Sequence, residues 1–317
     1  MIVSAETGSF VWVSTIIPVY NGAPTVARAI DSALSQDFEG QEIIVVNDGS
    51  TDNTAEVLSR YGDNIRVIHQ KNGGVSAARN AGAALAHGKY LAFLDADDTW
   101  LPGKLFKVVP ALENNPHAVL AFSDYLTTID GRVVRATASA EGRGPDFDEI
   151  IDARWKIVPT MVVMRRWVFD SCGGFCDEFT RCGGEDPYLW LLAREYGPFE
   201  YVADALVTYH DPDIADFADK YGPNAAIFER LVRKRYGRRA KRIIRSTRTY
   251  IAHGLLAKAL REIDHGEYGN SFRTFGRLIA YRPQFLLKPY FISRIFNAHN
   301  LKRLSSIIKP ELDRENP

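Results

Sequence analysis

Short apolar runs alternate with stretches of helical spacing over the first hundred residues of the chain. Runs rich in β-branched residues predict strands at 13–19, 42–47, 65–70 and 89–94. The segments between them predict helices at 25–36, 52–61 and 75–86. A strand–helix–strand order of this kind favours a parallel sheet with right-handed crossovers. The predicted fold class is therefore α/β, with a mostly parallel central sheet and flanking helices.

Each predicted strand ends in a polar segment that also contains small or turn-forming residues. In open α/β sheets, ligands bind outside the carboxyl ends of the strands. Four successive strand ends should therefore face one site. Their segments are Pro-Val-Tyr-Asn at 18–21, Asn-Asp-Gly-Ser-Thr-Asp at 47–52, Lys-Asn-Gly-Gly at 71–74 and Asp-Ala-Asp-Asp at 95–98.

Three carboxylates, Asp95, Asp97 and Asp98, follow the fourth predicted strand. Carboxylates crowded at the end of a buried strand repel one another, which favours a bound cation. If the chain stays extended, Asp95 and Asp97 share a face and Asp98 points away. That pair could hold Mg²⁺ or Mn²⁺ and leave positions for phosphate oxygens. The alternative is a solvated acidic loop in which Asp98 caps a helix that begins near Pro102.

Asp48, at the end of the second predicted strand, offers an acceptor for the ring N–H of uracil or thymine. The neighbouring Gly49 would let the backbone approach a flat base closely. Alternatively, Asp48 is a turn or helix-capping carboxylate. Neither the Gly-x-Gly-x-x-Gly dinucleotide fingerprint nor the Gly-x-x-x-x-Gly-Lys-Ser/Thr phosphate loop occurs in the sequence. A nicotinamide dehydrogenase and a P-loop enzyme are therefore not expected.

The composition, 46% apolar and 25% charged residues, is that of an ordinary globular protein. No apolar run reaches the roughly 18 residues needed to span a bilayer, and the N-terminus does not resemble a signal peptide. We therefore expect a cytoplasmic location. Three cysteines, at 172, 176 and 182, favour reduced thiols over a disulfide framework or a zinc site.

Charge divides the chain into two parts. Residues 229–317 contain 21 Lys and Arg but seven Asp and Glu, about +14, and the remainder carries about −14. We expect an α/β nucleotide-binding domain at 1–220 and a basic helical region at 221–317, with helices at 252–262 and 268–280. The basic region could lie on the anionic inner face of a membrane or form a solvated helical face. Nucleic acid is not expected, because no recognised binding motif accompanies the charge.

Four motifs in order carry a resemblance to the family 2 glycosyltransferases of GT-A fold. They are Thr-Ile-Ile-Pro-Val-Tyr-Asn at 15–21, Val-Asn-Asp-Gly-Ser-Thr-Asp at 46–52, Asn-Gly-Gly-Val-Ser-Ala-Ala-Arg-Asn-Ala-Gly at 72–82 and Phe-Leu-Asp-Ala-Asp-Asp at 93–98. Segments 173–178 and 183–190 resemble the family's acceptor side, so the similarity spans roughly residues 12–212.

The resemblance implies transfer of a sugar from a nucleotide-diphosphate donor, a UDP-sugar above all, with inversion at the anomeric carbon. The donor would be a hexose or amino-hexose, the acceptor a glycan or lipid-linked hydroxyl in cell-surface polysaccharide or glycolipid synthesis, and the cofactor Mn²⁺ or Mg²⁺. The implied contacts are Asp48 on the base, Asp95 on the ribose or metal, Asp97 on the metal, and Pro18, Tyr20, Asn21, Gly74 and Arg79 around the nucleotide. A surface or packing role for Arg79 stays open.

For catalysis the resemblance points to the acidic pair Glu185 and Asp186, with Asp186 as the base that takes the acceptor's proton. Pro187 suits the first position of a helix at 188–195, which makes Asp186 a natural N-cap. A capping carboxylate has a lowered pKa and is a weaker base, so this position carries a conflict. Leu189 and Trp190 are expected in the core.

The family often carries a basic residue and a histidine after its last core strand, but only His210 is present here. His210 is a candidate metal ligand or an ordinary surface histidine. A hairpin is expected at 129–132, and the acceptor wall near residues 155 and 159–161. Two other functions remain open: an inactive GT-A protein that binds nucleotide or glycan, and a nucleotidyltransferase. The latter would want a glycine-rich basic loop after the first strand, which is absent.

Overall fold

A computed structural model describes residues 12–129, 132–136, 138, 143–146, 149–150, 157–179, 183–210 and 214–281 of the chain. Nine strands form one sheet in this part of the chain. They are β1 (Val13–Val19), β2 (Gln41–Asn47), β3 (Arg66–His69), β4 (Tyr90–Phe93), β5 (Thr99–Trp100), β6 (Leu120–Ile129), β7 (Arg132–Ala136), β8 (Val162–Arg165) and β9 (Phe199–Thr208).

Nine α-helices of the described residues have defined bounds. They are α1 (Val26–Leu34), α2 (Thr54–Ser59), α3 (Val75–Leu85), α4 (Lys104–Asn114), α5 (Arg166–Cys172), α6 (Glu185–Arg194), α7 (Ile214–Tyr236), α8 (Ala240–Asp264) and α9 (Tyr268–Tyr281). The seven elements predicted within the first hundred residues are all present, and none of their ends differs from the prediction by more than two residues. The two predicted helices of the basic region lie within α8 and α9.

The strand order is β3-β2-β1-β4-β8-β6-β9-β5, with β7 paired to β6. β1, β2, β3 and β4 are parallel to one another, β8 is antiparallel to both β4 and β6, and β9 is parallel to β6. Six of the nine described strands therefore run in one direction. β6 and β7 form the predicted hairpin, while its turn, residues 130 and 131, lies outside the described residues.

Pro18 lies inside the central strand β1, where a residue without an N–H would normally interrupt a ladder. The pairing of β1 with β4 covers Val13–Ile16 and ends at Phe93. Pro18 lies beyond that pairing, so the missing N–H leaves no gap between β1 and β4. The short partner strand therefore lets β1 continue to its carboxyl end beside β2.

Helix α3 packs closely on the sheet through Gly82. A Cβ added at this position would lie 2.6 Å from Ile16 Cγ2 and 3.2 Å from Val46 Cγ2, on β1 and β2. The distance to Ile16 is shorter than real Cβ contacts and the distance to Val46 is tight, so a side chain at position 82 would force this close packing apart. The N-terminus of α3 is thereby held near the carboxyl ends of the same two strands.

The chain divides into two compact units, the first extending to Asp211 and resuming over Pro223–Ile243, and the second combining Pro212–Gly222 with the residues from Ile244 onward. The predicted boundary after residue 220 stays a prediction. In the described residues, none of the helices combines the length and apolar character needed to cross a membrane. Cys172 and Cys176 are free thiols, as predicted, and residue 182 lies outside the described residues.

Candidate active site

The loops that follow β1 and β2 are tied together at the carboxyl edge of the sheet. Asn21, with a φ of 51°, donates its backbone N–H to Ser50 Oγ at 2.9 Å and accepts from the Thr51 N–H at 2.8 Å. Tyr20 and Asn21 are exposed at this edge, whereas Pro18 is buried inside β1. Of the residues predicted around the nucleotide after β1, Tyr20 and Asn21 are open to a ligand.

Asp48 is buried at the end of β2 and holds the loop that follows β3. Its Oδ1 accepts from Gln70 Nε2 at 2.7 Å and from the Gly73 N–H at 2.8 Å, and its Oδ2 accepts from the Gly74 N–H at 2.8 Å. Gly74 is also the N-cap of α3, with a φ of 88°. Asp48 therefore joins two strand ends and the start of α3, whatever it contributes to a ligand.

Gly49 serves the same loop. A Cβ at Gly49 would lie 2.7 Å from the backbone nitrogen of Asn72, and the φ of Gly49 is 74°. The backbone that approaches Gly49 closely is that of Asn72, in the loop after β3. This packing explains the glycine without a ligand, and close approach of a flat base to Gly49 stays a prediction.

Residues 95–98 form a turn, not an extension of β4. β4 ends at Phe93, and the Asp98 N–H donates to the Asp95 carbonyl at 3.0 Å. The prediction that Asp95 and Asp97 share a face assumed an extended chain and is wrong in its geometry, because alternation holds only within a strand. Asp97 is exposed, Asp95 is half-buried, and Asp98 is buried.

Asp98 is turned into the protein. Its Oδ2 accepts from Thr160 Oγ1 at 2.5 Å, and its Oδ1 accepts from the His210 backbone N–H at 2.9 Å. Burial, with repulsion from Asp95 and Asp97, raises the pKa of the Asp98 carboxyl well above its ordinary value. Asp98 does not cap α4, whose N-cap is Gly103.

Thr160, in the short 3-10 helix Pro159–Met161, supports the carboxylate turn formed by residues 95–98. Thr160 Oγ1 accepts from the Asp95 N–H at 3.1 Å, and its carbonyl accepts from Trp100 Nε1 at 3.0 Å. Thr160 and Met161 are fully buried, so neither side chain is open to an acceptor, and their position near the acceptor wall stays a prediction. Residue 155, predicted beside them, lies outside the described residues.

Lys104 is a buried cation that contacts the 3-10 helix carrying Thr160. Its Nζ donates to the Met161 carbonyl at 2.8 Å and lies 5.4 Å from the centre of the Trp100 ring. Burial lowers the pKa of the Lys104 ammonium to about 7. The sequence analysis missed Lys104, although it falls in the same helical stripe as Leu105, Val108, Val109 and Leu112, the buried face of α4.

Arg79 joins the two halves of the site. This α3 side chain is 1% exposed; its Nη2 lies 2.6 Å from Asp95 Oδ1 and its Nη1 lies 3.2 Å from Glu185 Oε1. Its guanidinium carbon also lies 5.0 Å from the centre of the Phe175 ring. A surface role and a packing role were left open for Arg79, and its burial excludes the surface role. The side chain is a buried bridge between the carboxylate turn and the Glu-Asp pair.

The Glu-Asp pair occupies the first turn of α6. The helix begins at Glu185 and its N-cap is Gly184, with a φ of 102°. The prediction that Asp186 caps this helix is therefore wrong, because the two preceding glycines allow the helix to start earlier. Glu185 Oε2 accepts from the Gly183 N–H at 2.6 Å. Leu189 and Trp190 are buried, as predicted.

The environment of Asp186 makes its carboxylate a stronger base. Burial comes first and repulsion from Glu185 second in raising the pKa of Asp186 well above its ordinary value, while Arg79 opposes them. This direction is opposite to the lowered pKa expected of a capping carboxylate. The conflict between the capping and base roles of Asp186 is thereby removed.

The loop before α6 is attached to α3 through Asn80. Asn80 Nδ2 donates to the Phe175 carbonyl at 2.8 Å and to Asp177 Oδ1 at 2.9 Å, and its Oδ1 accepts from the Phe175 N–H at 2.9 Å. Asn80 follows Arg79 in the sequence. Two adjacent side chains of α3 thus attach the segment that carries the Glu-Asp pair to the strand-end site.

The carboxylate turn suits a metal that is shared with a phosphate ligand. Within the described ranges, no three His, Cys, Asp or Glu side chains are arranged to hold a metal by themselves. Mg²⁺ is commonly bound by one or two carboxylates, with phosphate oxygens and water completing the shell. Asp97, which is exposed, and Asp95, which is half-buried and paired with Arg79, are the carboxylates that could take part in such a shell, and the metal site stays a prediction. His210 is exposed, with Nδ1 3.8 Å from Asp98 Oδ1, so its imidazole faces the buried carboxylate of the turn.

Comparison with known proteins was made for sequence and for structure. The family model described as glycosyl transferase family 2 matches residues 14–170. The uncharacterized glycosyltransferase EpsJ of Bacillus subtilis is 30% identical over 209 residues, which cover 63% of this chain and 61% of EpsJ. A glycosyltransferase of Rickettsia felis is 52% identical over 95 residues, 29% of this chain and 16% of that protein. The chain thus spans less than two thirds of these relatives.

Among solved structures, S. aureus TarS 1–349 superposes with a TM-score of 0.59 at 18% identity, covering 86% of this chain and 91% of TarS 1–349. The same fragment in complex with UDP-GlcNAc gives a TM-score of 0.57 at 16% identity, covering 86% and 92%. At this identity the similarity shows the fold. It confirms the predicted GT-A architecture, a mostly parallel sheet with flanking helices and a helical C-terminal region.

Proposed function

Since residues 14–170 belong to glycosyl transferase family 2, we propose that this chain transfers a sugar from a UDP-sugar to a hydroxyl of a glycan or lipid-linked acceptor. The transfer inverts the anomeric carbon and uses Mn²⁺ or Mg²⁺. The complex of TarS with UDP-GlcNAc supports a nucleotide-sugar donor, because the two proteins share a fold. Cell-surface polysaccharide or glycolipid synthesis is the proposed setting, with a hexose or amino-hexose as the sugar.

One observation carries the proposal: the buried Arg79 lies between Asp95, at the end of β4, and Glu185, at the start of α6. A transferase must hold its donor and its proton acceptor within one site, and this bridge brings the two candidate groups together. Asp48 and Arg79 are the proposed nucleotide-side residues, with Tyr20 and Asn21 at the exposed edge. Gly74 contributes as the N-cap of α3, where its N–H donates to Asp48.

Asp186 is the proposed general base. A carboxylate with a raised pKa accepts the proton of an acceptor hydroxyl more readily, and the oxygen then attacks the anomeric carbon opposite the leaving diphosphate. Arg79 lies 3.2 Å from Glu185 and compensates its charge. Because Glu185 is paired with Arg79, we assign it a positioning role and assign Asp186 the role of accepting the proton.

A divalent metal, when bound, would neutralise the charge that develops on the diphosphate as the sugar leaves. Asp97 and Asp95 are the proposed ligands. Asp97 is exposed at the turn, and Asp95 is fixed by Arg79 and by the Thr160 hydroxyl. His210 remains a candidate for a further contact with the metal or the diphosphate.

The test is release of UDP from a panel of UDP-, dTDP- and GDP-sugars in the presence of Mn²⁺, with UDP affinity measured by calorimetry. We expect turnover of at least one UDP-sugar and Mn²⁺-dependent binding of UDP. Asp97→Asn should weaken Mn²⁺-dependent UDP binding by at least tenfold. The control is Asp63→Asn, an exposed carboxylate in a separate 3-10 turn, which should behave like the parent.

The outcomes separate the alternatives. UDP binding without turnover of any donor would favour an inactive GT-A protein that binds nucleotide. If the protein neither binds UDP nor turns over any donor, both the active transferase and the inactive nucleotide-binding protein are excluded. Full activity in Asp97→Asn would remove Asp97 from the metal site, and formation of a nucleotide–sugar bond from a nucleoside triphosphate would favour a nucleotidyltransferase.

A further inference from the structure

One face of α9 (Tyr268–Tyr281) is committed to packing within the second unit. Ser271 Oγ donates to the Ala259 carbonyl of α8 at 2.9 Å, and Thr274 Oγ1 donates to Glu262 Oε2 at 2.8 Å. Leu278 lies one turn further along and is fully buried. These three positions recur at intervals of three and four residues, so they define a single inner face of the helix.

The outer face of α9 carries exposed apolar side chains. Tyr268 is 40% exposed, Phe272 is 81% exposed and Ile279 is 43% exposed. Their spacing of four and seven residues places them in one stripe along the helix. Among the exposed large hydrophobic residues in the described part of the chain, Phe272 has the largest exposed fraction. An aligned stripe of this kind marks an interaction surface more strongly than scattered exposed residues do.

Positive charge lies on α9 outside this stripe. Arg273 and Arg277 are exposed on α9, one helical turn apart, and the helix contains neither Asp nor Glu. The sequence between Glu267 and Glu311 contains eight Lys and Arg residues and no Asp or Glu. A partner that covers the stripe should therefore be negatively charged, because its charge would be attracted to these basic residues.

We propose that the outer face of α9, formed by Tyr268, Phe272, Arg273 and Ile279, binds the surface of an anionic lipid bilayer. The apolar stripe would enter the boundary between headgroups and acyl chains, and Arg273 would contact lipid phosphates. Nucleic acid would satisfy the arginines but would leave an apolar stripe without a partner. Lipid binding by this face does not depend on the proposed transferase activity.

The test is cosedimentation of the full chain with vesicles of phosphatidylcholine alone and of phosphatidylcholine with 30% phosphatidylglycerol. We expect binding to the anionic vesicles, little binding to the neutral ones, and weaker binding at 300 mM than at 50 mM NaCl, since salt screens the attraction. Equal binding to both vesicles, or none to either, would overturn the proposal.

Substitutions locate the surface. Phe272→Ser should weaken vesicle binding by about tenfold through loss of apolar burial, and Arg273→Gln by about fivefold. Matched controls are Phe106→Ser on α4, where the ring is 55% exposed, and Arg60→Gln, where the side chain is 66% exposed. Both controls should bind like the parent, and the thermal unfolding midpoint of each variant reports that it is folded.

Two results would contradict the assignment. Unchanged vesicle binding in Phe272→Ser and Arg273→Gln, in folded protein, would place any membrane contact elsewhere. Binding to a random-sequence DNA duplex that is insensitive to Phe272→Ser, without binding to the anionic vesicles, would assign the basic surface to a polyanion instead.

Discussion

Arg79 shows at the scale of one residue how charge is organised in the site. A buried cation is costly unless it is paired, and Arg79 has carboxylates at 2.6 Å and 3.2 Å, from Asp95 and Glu185. The neighbouring Asp186 is also buried; burial and repulsion from Glu185 raise its pKa, and Arg79 opposes that rise. A single arginine thus pairs with Glu185 and also acts on the charge of its neighbour Asp186.

Asp186→Asn should lower kcat by about 10²- to 10⁴-fold, because the amide cannot accept the acceptor's proton. The KM of the donor should change little. Since the pKa of Asp186 is raised, parental activity should fall as the pH is lowered through that pKa and the carboxylate becomes protonated. Initial rates between pH 5 and 9 measure both effects, and the residual activity of Asp186→Asn should lack this acid limb.

Glu185→Gln is the comparison for this prediction. It keeps the side-chain shape but removes the charge that faces Arg79, so it should weaken donor binding and affect kcat less than Asp186→Asn does. The reverse order of the two kcat losses would identify Glu185 as the base.

Lys104 makes a prediction about stability and pH. Its pKa is about 7 in the folded protein and about 10.4 in an unfolded chain. Between these values the unfolded state binds the proton and the folded state does not, so stability rises with pH. The contribution from Lys104 should be about 1.4 kcal/mol of unfolding free energy per pH unit between pH 7 and 9. Urea unfolding at several pH values measures it.

Lys104→Met should remove this slope, although it also leaves the Met161 carbonyl without its donor. Lys107→Met is the matched control, because Lys107 lies on the same helix with its side chain 50% exposed. The slope of Lys107→Met should equal that of the parent. An unchanged slope in Lys104→Met would mean that Lys104 keeps an ordinary pKa.

At the scale of elements, α3 is the part that assembles the site. Its N-cap Gly74 is bound by Asp48, its Gly82 lets it lie close to β1 and β2, and Arg79 and Asn80 hold the segment before α6. One helix therefore fixes the positions of two strand ends and of the Glu-Asp pair. Changes at its junctions should affect the site without touching a ligand.

Gly174→Ala tests the junction between α3 and the segment before α6. Gly174 has a φ of 74°, and an added Cβ would lie 2.6 Å from Asn80 Oδ1. Asn80 is held by three hydrogen bonds and cannot move away freely. We expect a loss of about 2 to 4 kcal/mol in unfolding free energy, from backbone strain and from displacement of Asn80. Urea unfolding measures the loss.

Gly173→Ala is an internal control for the strain. Its φ is 80°, but an added Cβ would meet nothing within 4 Å, so the cost should be about 1 kcal/mol. Equal losses in the two variants would mean that crowding against Asn80 contributes nothing at this junction.

At the scale of the whole molecule, binding of the nucleotide should stabilise the unit that holds the site. UDP with Mn²⁺ at 100 times the dissociation constant should add about 2.7 kcal/mol. That gain corresponds to a rise on the order of 5 to 10 °C in the unfolding midpoint of that unit. Differential scanning calorimetry measures the shift, and EDTA should remove the part due to the metal. A midpoint that does not respond to UDP would contradict the assigned site.

The N-terminal elements of the fold could be predicted from the sequence alone. The alternation of apolar runs and helical stretches predicted the seven N-terminal elements, because the periods of strands and helices are local properties. The strand-end motifs predicted one site, because parallel strands bring their carboxyl ends to one edge. The resemblance to family 2 glycosyltransferases followed from the same motifs.

Only the tertiary structure decided which side chains meet and how they are charged. The turn at residues 95–98 overrode the alternation expected of Asp95 and Asp97, and two glycines moved the start of α6 away from Asp186. The contacts of Arg79 with Glu185 and of Thr160 with Asp98 join residues 106 and 62 positions apart. Periodicity carries no information about such pairs, because burial and partner charge arise only when the chain is folded.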